Sequence, residues 1–483
     1  MHLYIVQRIL GVLLMVFSTA MLPPLLLAWL AADGAADAFA IAFGVLLALG
    51  AVLWYPVRHR RRELRTRDGF FVVAMFWVVL GVAGALPLEL GTTPHLSFTD
   101  SFFESVSGLT TTGATVIVGI DELPISVRFY RQQLQWLGGM GIIVLAVAIL
   151  PMLGIGGMQL YRAEMPGPIK DAKLTPRIAE TAKALWYLYL GLTVLCSLAY
   201  WAAGMSLFDA VCHAFSTVST AGFSTHDASL AYFDNPWVEL VAICFMLAGG
   251  VNFALHFAAW RRRRILPYLR DPEWRFYVGI VALATALISA QLLAHYGEHA
   301  TPRDLLRAAL HAVSFMTTSG FTSAEHAGWP AFVPVLLIFL SFLGGCASST
   351  SGGIKCIRFV LLFKQGWREI LRLVHPQAQI LVKVGDKAVD ERVIDSVWGF
   401  FATYMAVFAM IMLALMALGL DQVTAFSAVA GTLNNLGPGL GAVASNYAGL
   451  NDPAKWLLSF AMIMGRLEIF TLLVLFTPAF WRR

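Results

Sequence analysis

Long apolar runs alternate with short polar interruptions along this chain, at lengths that suit a bilayer rather than a globular core. Residues 4–29, 37–57, 69–90, 131–153, 184–203, 237–260, 276–296, 329–363, 397–418 and 456–480 are each predominantly apolar, and a membrane span needs roughly 20 such residues. From residue 69 onward the runs come in pairs, and each pair encloses a shorter, more polar segment: 97–113, 206–222, 301–320 and 421–437. These segments are too short and too polar to cross. The pattern predicts a unit of helix, half-length re-entrant segment and helix. It occurs four times after two additional N-terminal helices, giving an all-α polytopic membrane protein with ten spans.

The short segments repeat in sequence as well as in position. Ser105-Val106-Ser107-Gly108-Leu109-Thr110-Thr111-Thr112-Gly113 returns as Phe215 to Gly222, as Val313 to Gly320 and, in degenerate form, as Ala430 to Gly437. Their endings are Thr111-Thr112-Gly113, Thr220-Ala221-Gly222, Thr318-Ser319-Gly320 and Asn435-Leu436-Gly437, with the glycines 109, 98 and 117 residues apart. Such spacing predicts four covalent quarters in pseudo-fourfold order about one axis. A ring of extended backbone carbonyls at that axis replaces the water shell of a dehydrated alkali cation. Ser97, Ser206 and Thr301 each precede an acid by three residues, a capping-box start signal, and Asp421 stands alone in the fourth segment. From the acid to the glycine is 13, 13, 16 and 16 residues, enough for about three helical turns and an extended tail. The negative ends of four half-helices would then face the axis and favour a cation.

Composition agrees. The 483 residues are 58% hydrophobic and 13% charged, with mean hydropathy +0.72, whereas soluble domains carry about 25% charged residues. The first run is too long for a signal peptide and no small-residue cleavage site follows it. Five cysteines lie in apolar or small-residue stretches without CxxC spacing and read as buried thiols. Of 34 Lys and Arg, 28 fall at the termini, in the loop before the first unit and in the connections between units; only five lie on the side of the short segments. The positive-inside rule makes the basic side cytoplasmic, with both termini there and the short segments entering from outside. Asp100, Glu104, Asp121, Glu122, Asp209, Asp227 and Asp234 are placed at the outer mouth, where they would concentrate cations. The basic clusters read as topology anchors, not as nucleic-acid sites. The connections 161–183 and 364–392 are candidate docking surfaces for a partner, and Val384-Gly385-Asp386-Lys387 reads as the tip of a small hairpin.

The organisation by residue is then 1–68, two helices and a basic loop; 69–160, repeat 1; 161–264, a cytoplasmic connection and repeat 2; 265–364, repeat 3; and 365–483, a connection and repeat 4. The second helices carry matched glycines, Gly138-Gly139, Gly249-Gly250, Gly344-Gly345 and Gly465, which permit close packing. Repeat 3 goes further. Its second span is too long to cross straight, and its middle, Gly344 to Lys355, is almost entirely small residues. We expect a broken intramembrane loop there, on the cytoplasmic side of the glycine ring, acting as a gate through Gly344, Gly345, Ser348, Ser349, Thr350, Ser351, Gly352, Gly353 and Lys355. Arg466 lies inside the last span, where a charge is costly and usually functional or paired. It is either a second gating element facing the axis or a structural partner of Glu468 or of loop carbonyls.

These features together resemble the Trk/Ktr/HKT superfamily of potassium transport proteins. The resemblance rests on the four repeats, the Asn434-Asn435-Leu436-Gly437-Pro438-Gly439 segment, the glycine-rich break in repeat 3 and Gly465-Arg466-Leu467-Glu468. The ten-span length is most similar to the bacterial Trk membrane subunit. The resemblance implies potassium uptake at the bacterial inner membrane, a homodimer with one pore per subunit, and a cytosolic TrkA-type ring of nucleotide-binding subunits, responsive to ATP, ADP or NAD(H), that moves the repeat 3 loop. By matched position Thr111, Thr112, Gly113, Thr220, Ala221, Gly222, Thr318, Ser319, Gly320, Asn435, Leu436 and Gly437 would form the potassium selectivity filter. Potassium is the transported and bound ion, and no organic cofactor is expected in this chain. Glycine at all four filter positions favours potassium over sodium.

Other classes fit less well. A symporter coupling potassium to protons or sodium through the same filter is the alternative reading. An alternating-access transporter would show two inverted halves, not four repeats of one orientation. A membrane enzyme would need converging nucleophile, base or metal ligands. His213 and His311, each nine residues before a filter glycine, lack such partners and read as polar contacts behind the filter.

Overall fold

A computed structural model describes residues 3–59, 66–144, 178–385 and 387–482. Residues 60–65 of the basic loop and most of the 161–183 connection lie outside the described residues. Among the described residues the chain is helical apart from one two-stranded hairpin.

Helices α1 (Leu3–Ser18) and α2 (Leu22–Ala31) run on as one span, followed by α3 (Ala36–Trp54). Gly11 and Gly50 let α1 and α3 touch backbone to backbone: a Cβ on Gly11 would lie 2.9 Å from the Gly50 carbonyl oxygen. Repeat 1 is α4 (Thr66–Leu90), the half-helix α5 (Phe98–Leu109) and α6 (Ile125–Val144). Repeat 2 is α7 (Ile178–Ala202), the half-helix α8 (Leu207–Val218) and the pair α9 (Pro236–Gly249) and α10 (Phe253–Arg262). The short α11 (Leu266–Arg270) leads to repeat 3, which is α12 (Pro272–Tyr296), the half-helix α13 (Pro302–Met316), α14 (Phe332–Leu343) and α15 (Cys356–Val374). After the hairpin of β1 (Lys383–Val384) and β2 (Lys387–Ala388), repeat 4 is α16 (Glu391–Ala417), the half-helix α17 (Gln422–Leu433), and α18 (Asp452–Arg466) with α19 (Phe470–Leu473).

Six of these helices are long and apolar enough to cross a membrane, or eight if each bent pair counts as one span. Two of the ten expected spans are not among these. Helix α6 carries Arg128, Arg131, Gln132, Gln133 and Gln135, the last four of them buried inside the protein, and residues 145–153, the apolar end of the expected 131–153 span, lie outside the described residues, so its described part is too polar to count as a span. In repeat 3 the expected single run is two helices, because α14 stops after 12 residues at Gly344. The second helices of repeats 2 and 4 also depart from straight spans: α9 and α10 meet at 96°, and α18 bends 108° into the 470–476 segment.

The four half-helices begin as their sequences direct. The Ser97 hydroxyl accepts the Asp100 N–H at 3.1 Å, the Ser206 hydroxyl the Asp209 N–H at 3.0 Å, and Asp421 Oδ2 the N–H groups of Val423 and Thr424 at 3.1 Å. Thr301 and Asp304 form a full reciprocal capping box, with the Thr301 N–H on Asp304 Oδ2 at 2.8 Å. Each cap satisfies donors that the first turn leaves over.

The hairpin pairs Lys383 with Ala388 and Val384 with Lys387. It is not an isolated appendage. Val382 and Val384 bury against Ile357 and Leu361 of α15, Ile394 and Val397 of α16, and Ala347, in an apolar cluster separate from the main core.

A closed ring of loop backbone as the candidate functional site

Each half-helix ends four residues before its glycine and turns by one left-handed residue. Thr111, Thr220, Thr318 and Asn435 have φ of 53°, 52°, 55° and 54°. Gly113, Gly222, Gly320 and Gly437 follow at φ 81°, 78°, 75° and 96°. Four chemically different segments thus share one backbone shape, in a region that β-branched residues rarely occupy.

The four turns close on one another. A Cβ on Gly113 would lie 2.1 Å from the Ala221 carbonyl oxygen, on Gly222 1.9 Å from that of Ser319, on Gly320 2.2 Å from that of Leu436, and on Gly437 2.6 Å from that of Thr112. The order runs from repeat 1 to 2 to 3 to 4 and back to 1. All four glycines line one cavity of about 360 Å³ together with the residues that follow them, among them Thr115, Ser224, Thr322 and Pro438. Side-chain contacts support the ring from behind: Gln135 Nε2 donates to the Ala221 carbonyl at 2.9 Å, the Tyr447 hydroxyl to the Gly437 carbonyl at 2.7 Å, and Asn435 Nδ2 to Thr112 Oγ1 at 3.0 Å.

The 344–355 segment leaves helical geometry and packs against the other side of these turns. Thr350 Oγ1 sits 3.1 Å from the Val218 carbonyl and 3.2 Å from that of Gly249, and accepts the Thr220 hydroxyl at 3.1 Å. The Gly352 N–H donates to Thr318 Oγ1 at 2.6 Å and the Gly353 N–H to the Asn434 carbonyl at 3.0 Å. Gly352 has no alternative here, since a Cβ would meet the Asn434 carbonyl oxygen at 2.0 Å. Gly344 and Gly353 abut at the neck of the loop, while Gly345 accepts the Cys356 N–H at 3.0 Å and Ser348 the Phe253 N–H at 3.2 Å. Ser349 bonds back to Cys346, and Lys355 Nζ to the Ser351 carbonyl.

Arg466 ends α18 and is buried. Its Nη2 donates to the Thr350 carbonyl at 2.8 Å. The loop carbonyl is thus its hydrogen-bond partner, and Glu468 forms a 2.6 Å ion pair with Arg358. Sequence reasoning missed Glu273, whose Oε1 accepts the N–H groups of Ala347 at 2.7 Å and Ile357 at 3.2 Å, pinning both ends of the loop. An acid at the start of a span reads as a helix cap, and nothing local distinguishes it.

The outer mouth needs a correction. Five of the seven acids placed there carry cationic partners. Asp100 holds Lys455 at 2.6 Å, Glu104 holds Arg131 at 2.8 Å, and Asp234 holds Arg303 at 2.7 Å. Asp121 and Asp209 flank His226, with Nδ1 on Asp121 Oδ1 and Nε2 3.4 Å from Asp209 Oδ1. Asp100, Asp121 and Asp234 therefore link different repeats and Glu104 and Asp209 pair within their own, so the acids are structural ties more than a bare field for cations. His213 bridges Ser224 Oγ at 2.9 Å and the Asp209 carbonyl at 2.9 Å, and His311 takes the Arg307 carbonyl at 2.8 Å. Among the described residues no group of three or more metal-ligating side chains converges.

The model of the family described as "TrkH: Cation transport protein" matches residues 35–483. The chain belongs to the TrkH family. It is 57% identical over 98% of both chains to the Trk system potassium uptake protein TrkH of Vibrio parahaemolyticus, and 53% identical over the full length of both to that of Escherichia coli K12. The crystal structure of the potassium transporter TrkH from Vibrio parahaemolyticus superposes with a TM-score of 0.93 at 53% identity, covering 100% of both chains. This TrkH-family chain is a multi-pass inner-membrane transport protein and not an enzyme.

Two outcomes follow for it. Gly222→Ala should reduce ion flux to below about a tenth of wild type, because the methyl overlaps the neighbouring carbonyl at a positive φ; isotope flux into liposomes measures it. The second concerns pH. Burial alone would lower the His226 pKa, but Asp209 and Asp121 outweigh it and raise it above the ordinary value. A raised pKa stabilises fully below the unfolded value of about 6.5 and stops doing so as pH rises through the folded value. The melting-temperature gap between wild type and His226→Gln should be widest near pH 6 and shrink above neutrality; a gap independent of pH would count against the pairing.

Proposed function

We propose that this chain takes up potassium across the bacterial inner membrane, with the ring as a carbonyl-lined selectivity filter. The observation that carries the reading is the cyclic contact of each glycine with the next repeat's carbonyl, from Gly113 through Gly222 and Gly320 to Gly437. A dehydrated cation needs oxygen ligands from all sides at one level, and four like turns at one level provide them. The carbonyls of Thr111, Thr112, Thr220, Ala221, Thr318, Ser319, Asn435 and Leu436 and those of the four glycines are the proposed ligands. The C-terminal ends of four capped half-helices add negative potential. The full-length relatives named for potassium uptake support the ion assignment. We take the units as ten crossings, each bent or broken second helix counting as one, with both termini cytoplasmic in accord with the Lys and Arg distribution.

The 344–355 loop is the gate in this reading. It bonds to the turns of repeats 2, 3 and 4, and Arg466 anchors its Thr350 carbonyl. The apolar cluster of Ala347 with the 382–384 strand offers a cytoplasmic lever on it, suited to a nucleotide-binding TrkA-type ring acting on a homodimer of this subunit.

The test is rubidium-86 uptake into proteoliposomes driven by a potassium gradient. Block by external potassium and not by sodium is expected; equal block by both ions would sink the filter assignment. Arg466→Ala should raise uptake severalfold in the absence of any partner, because the loop loses a charge-assisted bond. A folded variant with unchanged or reduced uptake would speak against the gate.

A further inference from the structure

One charged pair behind the ring has no counterpart in the other quarters. Glu104 stands nine residues before Gly113, and the equivalent positions before the other filter glycines are His213, His311 and Ala428. Arg131 stands seven residues before Gly138, whose missing Cβ would lie 1.9 Å from the Leu109 carbonyl oxygen. Gly249 and Gly465 occupy the same place against the Val218 and Leu433 carbonyls, and the residues seven before them are Ala242 and Leu458. Repeats 2 and 4 therefore make the same half-helix contact with buried Ala242 and Leu458 in place of the arginine, so the helix packing itself does not require the charge.

The pair is fully shielded, and its hydrogen bonds go to the strands leaving the ring. Arg131 Nε meets Glu104 Oε1 at 2.8 Å with both side chains at 0% exposure. Glu104 accepts the Thr115 hydroxyl at 3.0 Å and the Val116 N–H at 3.0 Å. Arg131 Nη2 donates to Thr115 Oγ1 at 3.1 Å, Nη1 to the Ser224 carbonyl at 3.3 Å, and the guanidinium lies 4.2 Å from the Phe223 ring centre. Thr115 and Ser224 each follow a filter glycine by two residues. One planar guanidinium thus fixes the spacing of the repeat 1 and repeat 2 exits. The Thr115 carbonyl accepts the Tyr447 N–H at 2.8 Å, and the Tyr447 hydroxyl reaches the Gly437 carbonyl, so the network extends to repeat 4.

We propose that Glu104 and Arg131 are positioning residues for ion discrimination: they hold the ring at the spacing that separates potassium from sodium. The proposal rests on the filter reading. Whether selectivity comes from cavity size or from the number and field of carbonyl dipoles, it depends on where the carbonyls are held. A Lys at 131 keeps the charge but loses the fork that reaches two strands at once.

The experiment is rubidium-86 uptake by the purified full-length protein in liposomes, with external sodium titrated against external potassium as competitor, for wild type, Glu104→Gln, Arg131→Lys and Thr115→Val. The expected result is a fall of about tenfold or more in potassium-over-sodium preference for the first two variants, as buried charge-assisted bonds go unmade, and a smaller fall for Thr115→Val. A purely structural role would lower flux and leave the ratio alone; a wild-type ratio in Glu104→Gln or Arg131→Lys overturns the proposal. If neither of those folds, Thr115→Val decides by the same ratio. A wild type without potassium preference overturns the filter reading and the brace with it, whereas a selective wild type beside an equally selective Glu104→Gln overturns the brace alone.

Discussion

Everything in this molecule is arranged around backbone touching backbone. Four glycines each lie where a neighbour's carbonyl leaves no room for a side chain, and the remaining structure holds those four contacts in a closed ring. Irregular backbone at membrane depth is tolerated only when its polar groups are satisfied or wet. The turns meet that condition through bonds back into their own half-helices, such as Thr112 N–H to the Ser107 carbonyl at 2.9 Å and Ala221 N–H to the Ser216 carbonyl at 2.9 Å. The left-handed Thr111, Thr220 and Thr318 each carry strain of order 1–3 kcal/mol, which persists only when the surroundings over-determine it.

Those surroundings are unequal in the four quarters. Repeat 1 uses a buried ion pair, repeat 2 a histidine and a pair of glutamines from α6, repeat 3 the Ser314 hydroxyl on the Phe321 carbonyl, and repeat 4 a tyrosine and an asparagine. The fourfold likeness of the backbone is thus produced by four different side-chain solutions. That explains why the repeat motif is so short in the sequence: only the turn must be alike, and the side chains behind it can differ from one quarter to the next.

The half-helices, their caps and the broken run in repeat 3 were legible because each has a local signature: a Ser or Thr three before an acid, a small-residue stretch too polar for lipid, a glycine where φ turns positive. Long-range pairings were not. Whether Arg466 faced an axis, Glu468 or a loop carbonyl was undecidable from spacing, because its partner Thr350 is 116 residues away. The acids of the outer mouth looked like a cation-attracting ring because their charges are visible in the sequence and their partners are not; Lys455 lies 355 residues from Asp100. Helix α6 read as an ordinary span starting at Arg131, yet it begins at Ile125, and its buried Gln135 and Arg131 reach the ring and the segments leaving it. The bends after Gly249 and Arg466 left no mark stronger than a glycine or a charge.

Glu273 changes what kind of object the repeat 3 loop is. One carboxylate oxygen takes the N–H of Ala347 and of Ile357, so residues ten apart are fastened to a single point. The loop is a small loop closed at its base, not a free tether between two helices. Letting go of its tip releases only the entropy of about ten residues, and the cost of bringing such ends together grows slowly with length. A loop with a fixed base can rearrange at its tip without its ends separating and without the two helices it joins parting.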